Sequence, residues 1–374
     1  MSSARPRVQG IDVARGLASL IMIQGHAYDA WVRPEDKTSA AYLFTRVLGS
    51  LPLPAFLVLA GAAIALRVEA AERRAEPAVS VRRSVFARGC SVLAWGYAAS
   101  LAYALIDGTE GWGTLLRADV LHAIGISIAL LAWLGIRGAG PPTLRAFGRA
   151  ALGLAIVPVL VCPWLSPVGA SVDGPLKYAV ALFVDVPGVT RMPVVPLAGW
   201  LGLGACVVVA MRTRARGEDP FAAVAGARAG WLVRLLIGAL AIAIAGHLGT
   251  RAWVDAGAEL SRAHPIVWLN AIDLGARGVI VLAVGALVSV RLPASARRLL
   301  VQLGRASLFT YVLHLPLTYG RLAAPLWGTL SMPAATAAVG GLLALCALAV
   351  LARDYVFQLS SKLAARRRDP RPST

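Results

Sequence analysis

The sequence predicts an all-α, polytopic transmembrane helix bundle of about ten spans, with both termini on the cytoplasmic side. Three observations carry that expectation. Of the 374 residues, 58% are apolar and only 15% are charged, too little charge to solvate a folded surface of this size. The apolar residues gather into ten stretches separated by short polar connections. The basic residues then fall unevenly between the two sets of connections that those stretches define.

A spanning helix needs about 20 mostly apolar residues, because ~30 Å of hydrocarbon is crossed at ~1.5 Å per residue. The ten stretches are 11–32, 47–66, 89–106, 119–136, 150–168, 193–211, 231–250, 266–289, 306–320 and 329–352, the ninth being short for the task. The first follows Arg5 and Arg7 as a signal peptide would, but it carries Arg15, Gln24 and His26 and lacks a small-residue cleavage site, so it reads as a helix. The connection 67–88 alternates Glu and Arg and reads as a continuation of the second helix into water. In the connection 169–192, the run Tyr178–Val184 is too short to cross and reads as interfacial.

With the N-terminus inside, the cytoplasmic segments 1–10, 67–88, 137–149, 212–230, 290–305 and 353–374 hold 25 of the 37 Lys and Arg. The outer connections hold 9, an asymmetry that sets the orientation. The same sorting accounts for the formal charge of +18 through helix ends facing anionic lipid, with no nucleic acid partner. Residues 1–374 read as one transmembrane domain with a basic cytoplasmic tail at 353–374, in an inner, cytoplasmic membrane. Cys90, Cys162, Cys206 and Cys346 each stand alone in an apolar stretch, which predicts free, buried thiols and no metal site. There is no Walker loop, dinucleotide fingerprint or His-Glu-x-x-His, so chemistry has to come from His, carboxylate and Arg side chains within the bundle.

Ionisable groups inside a span are costly, and the first stretch has most of them. Asp12 and Arg15 stand three apart at its cytoplasmic end, as a structural anchor or as support for catalysis. His26 lies about 21 Å further along the helix, in the outer third of the bilayer. Asp29 follows at i+3, where a carboxylate orients an imidazole and raises its basicity, or where the two make a polar packing contact. Asp119 and His122 open the fourth stretch from outside. Asn270, Asp273 and Arg277 share a face of the eighth, either as a self-neutralising Asp273–Arg277 pair or as part of an outer-leaflet pocket. His314 is either a second acid/base or a partner for a carbonyl freed by Pro316. His247 reads as interfacial.

The string Ile11-Asp12-Val-Ala-Arg15-Gly16, followed by Met22-Ile-Gln-Gly-His26-Ala-Tyr-Asp29, resembles the first helix of bacterial proteins of the heparan-alpha-glucosaminide N-acetyltransferase catalytic-domain family. Its Asp-to-His spacing is also similar to that of the acyltransferase-3 family. Similar strings follow in the same order: Pro54-Ala-Phe56-Leu-Val-Leu-Ala-Gly61, Asp119-Val-Leu121-His-Ala-Ile-Gly125, Pro193-Val-Val-Pro196-Leu-Ala-Gly-Trp200, and Leu303-Gly-Arg305-Ala-Ser-Leu-Phe309 with Tyr311 and His314. The resemblance implies an enzyme that takes an acyl group, acetyl in the first instance, from cytoplasmic acyl-CoA as co-substrate. The group passes to an amine or hydroxyl of a sugar or glycan acceptor reached from the other face, with no bound cofactor. His26 is then the catalytic residue by position, as nucleophile or as base. Arg82, Arg83 and Arg88 stand where CoA phosphates would be held, and where the positive-inside rule also puts arginines. Asp119, His122, Asn270, Asp273 and His314 become candidates for the acceptor pocket. His122 departs from the aromatic residue more usual at its position in the family. The alternative is a transporter or flippase of a lipid-linked or sugar substrate, using the same groups to bind it or to relay protons.

Overall fold

A computed structural model describes residues 9–107, 115–214, 227–257 and 264–368. Arg5, Arg7 and the end of the basic tail lie outside the described residues. These form helices and no strand: α1 (Gln9–Trp31), α2 (Ala40–Gly49), α3 (Pro52–Arg73), α4 (Ala78–Asp107), α5 (Val120–Gly135), α6 (Leu144–Ala170), α7 (Leu176–Val180), α8 (Val194–Arg214), α9 (Ala227–Asp255), α10 (His264–Ser289), α11 (Ala294–Arg305), α12 (Ser307–Tyr319) and α13 (Met332–Arg368). Every one of the ten apolar stretches falls on a helix. Among the described residues, six segments are long and apolar enough to cross a membrane on their own: Ala40–Arg73, Leu144–Leu165, Val194–Arg214, Gly230–Asp255, Pro265–Ser289 and Met332–Ser361. The protein is therefore a multi-pass membrane protein. Helix α5 is apolar but has 16 residues, and α12 has 13, so each falls short of the hydrocarbon thickness by its own length.

The chain divides into two compact units, Met1–Ala14 with Ser50–Leu292, and Arg15–Gly49 with Pro293–Thr374. In the first unit α3 packs on α8 and α10, α4 on α5, α6 on α8 and α9 on α10. The core lies where these pairs meet, at Leu57, Leu59, Leu131, Leu201 and Leu282, all fully buried. Backbones approach through glycines, as they do where lipid supplies no hydrophobic drive between helices. A Cβ on Gly61 would overlap the Leu201 carbonyl, and one on Gly204 would overlap the Val58 carbonyl. Helix α10 is mostly buried, whereas α9 is mostly exposed. Helix α9 turns Ile237, Ile244 and Leu248 outward, an exposure that suits lipid and not water.

Local chemistry explains several boundaries. Helix α3 continues past its apolar stretch to Arg73, as the alternating charges suggest, held by ion pairs of Arg73 with Glu69, of Arg67 with Glu76 and of Arg212 with Glu69. The run 178–184 forms no spanning helix: α7 has five residues, and Val184 joins Ala118, Ala181, Val186 and Val189 in a small apolar cluster. The thiols are free as expected, but only Cys346 is buried, while Cys90 is exposed on α4 and Cys162 and Cys206 are half-buried. An apolar stretch marks a span without saying which side of it faces neighbours, so burial of each thiol was not readable from the sequence.

In the second unit the C-terminal half of α1 packs on α13 through Ile23, Ala27, Trp31, Ala335, Val339 and Leu342, with Leu313 and Leu317 of α12 against them. A methyl on Gly16 would overlap the Leu300 carbonyl of α11. At its C-terminal end α1 meets the segment before α13: Gly328 N–H donates to Ala30 O, Leu330 N–H to Trp31 O and Arg33 N–H to Leu330 O. The Asp36 carboxylate accepts from the Met332 amide and caps α13 at 2.9 Å.

Candidate active site

In the second unit His26 meets His314. Its Nδ1 lies 2.8 Å from His314 Nε2, across 288 positions of sequence. The ring centroids are 5.1 Å apart and the planes differ by 15°. That separation equals the nitrogen–nitrogen distance plus a ring radius on each side, so the rings lie nearly in line, edge to edge, and not face to face. His314 is fully buried and its Nδ1 stands 3.0 Å from the Thr310 carbonyl. This is one turn back toward the N-terminus, the direction in which helical side chains lean. The carbonyl that Pro316 frees is that of Val312, so His314 does not perform the repair considered from the sequence. Tyr311 flanks the His314 ring at 5.7 Å and Tyr319 the His26 ring at 5.8 Å.

Asp29 has other partners. Its carboxylate binds Arg46 Nη1 at 2.8 Å and accepts from the Tyr42 hydroxyl at 3.3 Å, while Lys37 donates to its carbonyl at 2.8 Å. Both Arg46 and Tyr42 come from α2, and a guanidinium outcompetes a neutral imidazole for a carboxylate. On α1, Asp12 is buried and groups with the first unit, while Arg15 is half-buried and groups with the second.

The remaining candidates belong to the first unit. Asp119 and His122 cap α5 reciprocally: the carboxylate accepts from the Val120 amide at 2.6 Å, and His122 Nδ1 accepts from the Asp119 amide at 3.2 Å. His122 is buried, edge-on to Tyr97 at 4.3 Å, and its Nε2 has no hydrogen-bond partner among the described residues. Asp273 and Arg277 form the i+4 pair that their spacing suggests, bidentate at 2.8 and 2.6 Å, with Arg277 also donating to Ser50 Oγ at 2.6 Å. His247, 53% exposed, stands 4.0 Å from Asp273, and Asn270 on the same helix is exposed. On α4, Arg82 is half-buried and Arg83 and Arg88 are exposed. At ~100° per residue these three stand at least about 100° apart around the helix, so α4 alone does not converge them on one anion.

Sequence reasoning missed Thr310, Tyr319, Tyr42, Arg46 and Ser50 as partners. Each reaches its candidate from another helix or a connection, or through a backbone carbonyl, and no spacing in one segment signals that. Among the described residues no group of His, Cys, Asp or Glu is placed to hold a metal ion.

Comparison with known protein families gives a match over residues 7–214, just over half of the chain, to heparan-alpha-glucosaminide N-acetyltransferase, catalytic. It covers His26, Asp29, the three α4 arginines, Asp119 and His122, and stops short of Asn270, Asp273 and His314. A search of curated proteins finds no match. With four of the five resembling strings inside the matched region, in family order, the chain belongs to the heparan-alpha-glucosaminide N-acetyltransferase catalytic-domain family.

Proposed function

We propose that this protein is a membrane-embedded acyltransferase that moves an acetyl group from cytoplasmic acyl-CoA to an amine or hydroxyl of a sugar or glycan acceptor. In this reading residues 1–374 form one transmembrane domain with about ten spans, in an inner membrane, with both termini and the basic tail on the cytoplasmic side. The observation that carries it is the in-line hydrogen bond from His26, within the family-matched region, to a fully buried second histidine. A paired imidazole inside an apolar bundle is costly to bury without a task.

The net reaction exchanges one bond for another. The acyl carbon leaves the CoA sulfur and joins the acceptor's nitrogen or oxygen, whose proton ends on the thiol. His26 serves it by either of two routes: its ring attacks the thioester carbon and carries the acyl group, or its ring takes the acceptor's proton during direct attack. Arg82, Arg83 and Arg88, at the cytoplasmic end of α4 in this topology, are the first candidates to meet the CoA phosphates. The Asp29–Arg46 pair, one turn beyond His26, puts a half-exposed charge pair on the acceptor side.

Purified protein incubated with radiolabelled acetyl-CoA and a panel of amino sugars and glycans tests the proposal. His26→Ala is expected to lower transfer by about 10²- to 10⁴-fold. Equal transfer by that variant would remove His26 from the mechanism. Acyl-CoA-independent movement of a sugar across proteoliposomes, with no transfer, would replace the enzyme by a transporter.

A further inference from the structure

We propose that His314 is a positioning residue that fixes the His26 imidazole in the tautomer with its proton on Nδ1 and its lone pair on Nε2. The inference rests on the catalytic reading of His26, and it starts from one fixed point. A carbonyl oxygen can only accept, so the 3.0 Å contact between His314 Nδ1 and Thr310 O requires the proton on His314 Nδ1. In a neutral ring His314 Nε2 is then an acceptor. The 2.8 Å contact to His26 therefore requires the proton on His26 Nδ1. One backbone carbonyl in α12 thus sets four ring nitrogens in order.

Both routes for His26 call for a lone pair on Nε2, the atom opposite the one that His314 holds. The same chain accommodates the charge that forms. As Nε2 takes a proton from the acceptor, or bonds to the acyl carbon, positive charge spreads to Nδ1–H. His314 Nε2 accepts that hydrogen bond more strongly and can take the proton outright. The His314 imidazolium so formed keeps its Nδ1–H on Thr310 O, and the proton returns to His26 when the acyl group or the acceptor's proton departs. No atom of His314 touches a substrate in this scheme, and its whole effect passes through His26. The fully buried ring, flanked by Tyr311, has little freedom to turn over and exchange its two nitrogens.

The test compares His314→Leu with His314→Gln, and reads the tautomer directly. Leucine fills the site and accepts nothing. Glutamine puts a carbonyl oxygen where Nε2 stands and still accepts from His26. The Leu variant is expected to lose about 100-fold in kcat with KM for acetyl-CoA changed by less than about threefold, and Gln to recover to within about fivefold of the parent. In the unmodified protein with ¹³C,¹⁵N-labelled histidine, NMR is expected to show the His26 signal, identified by its loss in His26→Ala, as the Nδ1–H form. In His314→Leu it should move toward the Nε2–H form that free imidazoles favour.

An Nε2–H signal for His26 in the parent protein, equal losses in the Leu and Gln variants, or full kcat in the Leu variant would each overturn the inference. If the Leu variant does not fold, the parent spectrum still decides. The spectrum needs no substrate, so a protein that transferred no acetyl group would refute the function while the tautomer remained readable.

Discussion

Removing Arg277 alone should destabilise the protein far more than removing Arg277 together with the charge it faces. Asp273 is 5% exposed and takes a bidentate pair of bonds from Arg277, while the His247 ring, half in solvent, stands 4.0 Å away. Arg277→Met leaves that carboxylate buried, and the hydrogen bond from Arg277 to Ser50 Oγ is lost as well. Breaking a buried pair from one side costs about 3–5 kcal/mol, because the surviving charge keeps its desolvation penalty and loses its compensation. In a unit of this size each kcal/mol moves the melting temperature by about 2–4 °C, so the drop should be roughly 6–20 °C. Asp273→Asn with Arg277→Met removes the charge and keeps the shape. Shape matters because Asp273 is packed closely against Gly246, where even an added methyl would stand 3.0 Å from the Asp273 Cβ. The neutral amide is left imperfectly bonded at about 1–3 kcal/mol, so the double variant should recover part of the loss despite carrying one change more. Tryptophan fluorescence melts in one detergent at one scan rate measure all three proteins. A single variant within 2 °C of the parent, or a double variant melting below the single, would refute the argument.

Three further outcomes follow from local structure. Gly61→Ala should lower the melting temperature by the equivalent of about 1–3 kcal/mol, since its methyl would overlap the Leu201 backbone and no side-chain rotation relieves that. Gly238→Ala, with open space around it on α9, should be neutral or slightly stabilising in the same melts. At Asp36, the hydrogen bond from Arg33 and then the one from the Met332 amide hold the carboxyl below the usual carboxylate range. Its stabilising contribution is therefore present above the unfolded carboxylate value and lost as pH falls through the lower folded one. Asp36→Asn should melt below the parent at pH 7, and the gap should narrow in acid.

What could be read from the sequence divides by the distance along the chain over which an interaction acts. The ten stretches coincide with helices because an apolar run needs only its own residues to become one. Asp273 with Arg277, and Asp119 with His122, sit where their spacing puts them because one turn of helix decides the contact. Asp29 shows what such a rule leaves out. Its spacing from His26 is that of a contact one turn along a helix, and the partners that α2 brings to its carboxylate, Arg46 at 2.8 Å and Tyr42, have no signal in that spacing. The pairing of His26 with His314 had no local signal at all. Two intramembrane histidines stood in the sequence, each needing a reason, and only the packing of α1 and α12 shows that each is the other's.

That packing also explains how a 2.8 Å contact is held between two helices without a salt bridge between the rings. Helix α12 ends at Tyr319, and beyond the bond that Gly320 N–H gives to Pro316 O the helix no longer supplies amides to its last carbonyls. The Thr318 carbonyl is one of these, and two indoles serve it: Trp31 Nε1 from the end of α1 and Trp327 Nε1 from the following connection, each at 3.1 Å. The same connection pairs with α1 through the Leu330 and Gly328 amides. The orphaned end of one helix is thereby tied to the end of the other, and His26 and His314 lie about one turn in from the two tied ends. Each lost carbonyl bond would cost of order 1–3 kcal/mol in an apolar setting, which is enough to hold the register between α1 and α12. The groups that satisfy the helix end are thus the groups that set the distance between the two rings.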